Sequence, residues 1–211
     1  MAKRRILDAA MVLLLPLLMA YSLIGEVFHE VADVLMLALF LLHHCLNRAW
    51  WKNLLRGRYS PQRAFQTALN LLLLLFMIIQ PLSGILMSKH LFTFLPTDGL
   101  SSAARAIHLP LANWGFVLMS IHAGTHLGSM LPKGRKKTAV FACLGVVSLY
   151  GVYAFVKRQI PAYLSLRLSF AFFDYSEPRL FFFADYLAVM ILFAVLGYGI
   201  TLLLKQKQQK T

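Results

Sequence analysis

The chain has 211 residues, 59% of them hydrophobic and only 14% charged, with a mean hydropathy of +0.68. So apolar a composition excludes an ordinary soluble domain, and the net charge of +13 is distributed in a way that points away from nucleic acid. Two cysteines, Cys45 and Cys143, are too few for a disulfide framework or a thiolate metal site.

Six apolar runs of about membrane-span length follow one another: 6–24, 31–46, 64–87, 108–127, 139–156 and 180–204. Each is expected to be helical, because lipid cannot satisfy open backbone groups. The first run follows Lys3, Arg4 and Arg5 and lacks a small-x-small cleavage site, so it reads as a retained span rather than a signal peptide. The second is short unless its polar ends lie at the interface. After it comes the basic stretch "RAWWKNLLRGRYSPQR". The loop between the third and fourth runs contains Pro96 and a turn signal at Thr97, Asp98 and Gly99. "LPKGRKK" then forms a seam before the last two runs. The loop joining those two mixes aromatics with arginines and is expected to carry an interfacial helix. The predicted fold is an all-α, six-helix membrane bundle. Residues 1–130 form a four-helix core and 131–211 a C-terminal hairpin.

Charge sets the orientation. The N-terminus, the loops after the second and fourth runs, and the tail hold fifteen basic residues and one acid, Asp8. The opposite ends hold six basic and seven acidic residues. The positive-inside rule therefore predicts both termini in the cytoplasm. The basic inner face suits anionic lipid or an acidic protein partner.

The second and fourth runs share a pattern. His29 and His43 are 14 residues apart, as are His108 and His122. Fourteen helical steps return to within about 40° of the starting direction and rise about 21 Å. Each helix thus carries two imidazoles on one face, one near each membrane surface. Both helices run from outside to inside. His29 therefore shares an outer level with His108, and His43 an inner level with His122. Two facing imidazoles across a bundle are the axial ligands a b-type haem requires. Two such levels imply two haems and an electron path across the bilayer. Polar groups at this depth are costly and generally functional.

Other residues attach to this scheme. His44 is an alternative inner ligand, and His126 and His90 are alternative contacts for a quinone or a haem propionate. Arg105, one turn before His108, and Arg48, five residues after His43, are candidate propionate partners, with interfacial snorkelling as the ordinary alternative. Glu30 and Asp33 favour the start of their helix, and either is placed to orient an imidazole. Gly115 lies midway between His108 and His122. It offers haem clearance or, equally, close helix packing.

The segments "HEVADVLMLALFLLHHCLNRAWW", "PLSGILMS" and "IHLPLANWGFVLMSIHAGTHLG" resemble the family called domain of unknown function 4405, and "YGVYAFVKRQIPAYLSL" and "FFDYSEPRLFFFADYLAVM" extend the likeness to the C-terminal hairpin. Members look like small bacterial membrane cytochromes b. The resemblance implies haem ligation by His29, His43, His108 and His122. It also implies a distant likeness to the cytochrome b subunits of formate dehydrogenases and hydrogenases. Such a chain is an electron-transfer subunit working with a quinone and a redox partner such as a flavoprotein.

Two other classes compete. A His-lined metal-ion transporter would place acids at mid-membrane, whereas here they stay at the edges. A membrane di-iron oxidase needs about eight histidines clustered near one surface; this chain has seven, spread over both.

Overall fold

The computed structural model describes residues 2–96, 99–130 and 134–209. The expected turn at Thr97 and Asp98, residues 131–133 of the basic seam and Lys210 of the tail lie outside these. Among the described residues there are helices and no strands: α1 (Ala2–Met19), α2 (Tyr21–Ile24), α3 (Glu26–Leu46), α4 (Arg48–Asn53), α5 (Pro61–Met87), α6 (Ser101–Met130), α7 (Arg135–Lys157), α8 (Ile160–Leu164) and α9 (Arg179–Gln209). Four stretches are long and apolar enough to cross a membrane: Glu26–Leu46, Pro61–Met87, Thr138–Lys157 and Arg179–Gln208. The other two expected spans coincide with α1 and α6, which are helical but more polar. α1 carries Lys3, Arg4, Arg5 and Asp8 within 18 residues, and α6 carries three histidines.

Local chemistry explains the ends. Ser60 caps α5, its Oγ accepting the Arg63 N–H at 3.3 Å, and Pro61 occupies the first helical position, where no N–H is needed. Gly25 adopts φ +90° between α2 and α3, a conformation that favours glycine and lets the chain reverse into α3. The loop between α7 and α9 differs from expectation, since only the five residues of α8 are helical. The rest is anchored by ions instead. Lys157 bridges Glu177 at 2.6 Å and Asp185 at 2.9 Å, while Arg158 reaches the same two carboxylates at 2.5 and 2.6 Å. Asp185 is fully buried and also accepts the Tyr150 hydroxyl. Two cations, in four ion pairs, and a hydroxyl thus meet at one carboxylate pair, leaving no need for a continuous amphipathic helix.

Packing follows the small residues. α9 lies against both α6 and α7. A Cβ on Gly124 would stand 2.0 Å from the Ala194 carbonyl oxygen, and one on Gly197 would stand 2.3 Å from that of Ile121. The α6 and α9 backbones touch at these glycines, the close approach by which helices associate where no hydrophobic force favours one apolar neighbour over another. Phe116 and Val189 are fully buried at the same seam. α1 packs on α3, and α5 lies between α3 and α6. The outer surface of α7, with Val146, Leu149, Val152 and Val156 exposed, is the kind of apolar face that lipid covers.

Candidate functional site

The fold brings His29 of α3 and His108 of α6 together. At one end of the bundle the His29 and His108 rings have their centres 6.4 Å apart at an interplanar angle of 69°. Three elements fix their orientation. Tyr21, on α2, packs edge-on to His29 with centroids 5.2 Å apart, and its hydroxyl donates to Glu26 at 2.6 Å. Glu26 in turn pairs with Lys89 at 2.9 Å and with His90 at 3.5 Å. On the other side α5 supplies Ser83 and Gln80. Ser83 Oγ donates its hydrogen to the Gln80 carbonyl at 2.7 Å, so it must accept the His108 Nδ1–H at 3.0 Å. That assignment makes His108 Nε2 the acceptor of the Gln80 side-chain amide at 3.1 Å, so a ligand there would have to displace the Gln80 side chain.

A metal between two imidazole nitrogens places ring centres about 6 Å apart, given metal–nitrogen bonds of about 2 Å. The observed spacing meets that requirement. The donor set also fits: His29 Nδ1 is buried without a hydrogen-bond partner, and Ser83 acts as the outer-shell acceptor that fixes a ligand tautomer. The cleft itself is narrow, about 60 Å³, and Met19, Met36, Met77 and Met119 line it. These unbranched side chains repack readily, and a planar macrocycle would need them displaced. Gly115 lines the same cleft, where a Cβ would meet only the Met119 methyl carbon at 3.9 Å. Helix contact does not require glycine there, in contrast to Gly124. Gly84 does need its missing Cβ, which would stand 2.8 Å from Asp33 Oδ2 and 3.6 Å from His108. Asp33 thereby reaches the cleft lining. Glu30 is occupied elsewhere: it accepts the backbone N–H groups of Lys89, His90 and Leu91 and the Ser88 hydroxyl.

The other end of α3 is built differently. Asp8 on α1 lies 2.8 Å from His43 Nδ1, the carboxylate–histidine arrangement that orients a ligand imidazole and leaves Nε2 free. His44 Nδ1 bonds the Phe40 carbonyl at 3.1 Å, and its ring lies 4.2 Å from that of Phe40. His122 is half-buried and within electrostatic reach of both His43 and His44. Its ring contact is with His126, at 5.1 Å. Both α3 histidines thus remain candidates opposite His122, and Asp8 distinguishes His43.

Of the remaining residues, Arg105 is exposed within electrostatic reach of His108, and Arg48 is exposed. His90 is exposed at the same end of the bundle as His29, against Glu26 and Glu30. Sequence reading missed Ser83 and Gln80, although two polar residues three apart in an otherwise apolar run were the available signal. Among the described residues no group of three or more His, Cys, Asp or Glu could hold a metal ion by itself. No family model matches this chain, and no curated protein or solved structure does so either.

Proposed function

We propose that the chain is a dihaem b-type cytochrome that carries electrons across a membrane, between a quinone pool or cytoplasmic carrier and an extracytoplasmic redox partner. The six long helices are read as six spans of a bacterial inner-membrane protein, with the basic ends and both termini in the cytoplasm. His29 and His108 would hold the outer haem, and His122 with His43, or alternatively His44, the inner one. The observation that carries the reading is the outer pair: two facing imidazoles 6.4 Å apart, one with its Nδ1–H fixed by Ser83. Bound haem b supplies reversible one-electron transfer. The protein's own part is to hold the ligand nitrogens, through Ser83 and Asp8, and to exclude water with the methionine-rich lining.

Two donors at each of two levels suit axial ligation better than they suit a transport path or a clustered di-iron centre. The test is optical. Chain purified in mild detergent from haem-replete cells should give a sharp reduced α-band. His29→Ala and His108→Ala should remove the same haem, and His122→Ala the other. Loss of different haems from the two outer variants would contradict the pairing.

A further inference from the structure

A second cavity, of about 600 Å³, opens at the inner end between α4, the α4–α5 loop, the start of α5 and the end of α6. We propose that it binds the phosphate headgroup of an anionic phospholipid. The inference uses no haem ligand, although His126, which packs against His122, also lines the cavity.

Arg63 is the centre of the site. Its guanidinium donates to the Asn53 carbonyl at 2.5 Å and the Arg58 carbonyl at 3.1 Å, and lies 4.2 Å over the Tyr59 ring. The Tyr59 hydroxyl closes the loop by donating to the Leu54 carbonyl. Gly57 adopts φ +77°, and a Cβ there would lie 3.3 Å from Arg63 Nη1. The loop is therefore wrapped around one cation and holds it with neutral carbonyls, which do not cancel its charge. Two of its five N–H groups are used, leaving three in a fixed fork suited to phosphate oxygens.

The rest of the lining agrees. Arg56 is exposed, and its side chain has no hydrogen bond or ion pair among the described residues. No carboxylate lines the cavity. Asn70 Oδ1 is buried without a partner, an acceptor suited to a headgroup hydroxyl. Trp50 and Leu54 supply apolar wall, as the glycerol and first methylenes of a lipid require. Basic pockets between spans on the cytoplasmic side are known to take anionic headgroups. A free phosphate would use the same arginines but leave the apolar wall and Asn70 uncovered.

The test is native mass spectrometry of the full chain in detergent, titrated with phosphatidylglycerol or phosphatidylcholine. One phosphatidylglycerol should bind about tenfold more tightly than phosphatidylcholine. Arg56→Gln, which leaves the loop intact, should abolish that preference. Lys205→Gln, an exposed cation in the C-terminal tail, should keep it. Equal binding of the two lipids overturns the proposal. So does equal loss in the Arg56 and Lys205 variants, which would mean diffuse charge rather than a site. Release of the lipid by excess inorganic phosphate overturns the lipid assignment in favour of a soluble phosphate ligand.

Discussion

Replacing Ser83 by alanine removes one acceptor oxygen from the His29–His108 site. Ser83 is 4% exposed, and its Oγ is the acceptor for His108 Nδ1–H at 3.0 Å. Without it, a buried N–H loses its partner, which costs about 1–3 kcal/mol. The imidazole then either rotates or changes tautomer, and either change moves the ligating nitrogen. Loss of an outer-shell partner of this kind typically lowers ligand-site affinity about 10–100-fold. Haemin titration of the apoprotein should therefore show weakened binding at one of two sites. The midpoint potential of the same site should shift while the other stays put. Ser148→Ala is the control, because Ser148 is buried on α7 with its hydroxyl unpartnered. Wild-type affinity and potential in Ser83→Ala would refute the claim that Ser83 orients the ligand.

Other outcomes are expected from single contacts. Gly115→Ala should fold and load haem normally, whereas Gly115→Leu should fold but lose outer haem, read as haem per chain; equal loading would remove Gly115 from the cleft's function. Asp8→Asn should weaken inner haem about tenfold if His43 is the ligand and leave it unchanged if His44 is. Gly124→Ala should lower the melting temperature in detergent without altering the spectrum of whatever chain remains folded. Its new methyl meets the α9 backbone rather than a mobile side chain, and overpacking costs about 1–3 kcal/mol or more. The Lys157 ammonium, hydrogen-bonded to Glu177, holds its carboxyl below the ordinary range, with Arg158 adding to the effect and partial burial opposing it. A depressed carboxyl contributes stability that is complete above its unfolded pKa, about 4.3, and is lost as pH falls through the lower folded value. The melting-point gap between wild type and Glu177→Gln should therefore be constant above about pH 5 and close in more acidic buffer.

Helix positions were legible because apolar run length and basic loop placement are strong one-dimensional signals. The meeting of His29 with His108 was legible because helical geometry converts a 14-residue interval into direction and height. What lay beyond reach depends on contacts between distant elements. Asp8 meets His43 across 35 residues, and Ser83 meets His108 across 25. No periodicity encodes either pairing. The loop after α7 looked amphipathic from its composition. Its conformation is governed instead by Asp185, 27 residues beyond Arg158, which draws two cations inward. Glycines were ambiguous for the same reason: Gly115 and Gly124 look alike in the chain, yet one faces a cleft and the other a backbone.

The most direct measurement is haem stoichiometry by pyridine haemochrome on purified chain, set beside His108→Ala. The account predicts about two haem b per wild-type chain and about one in the variant. A well-folded wild-type chain that holds no haem would contradict it.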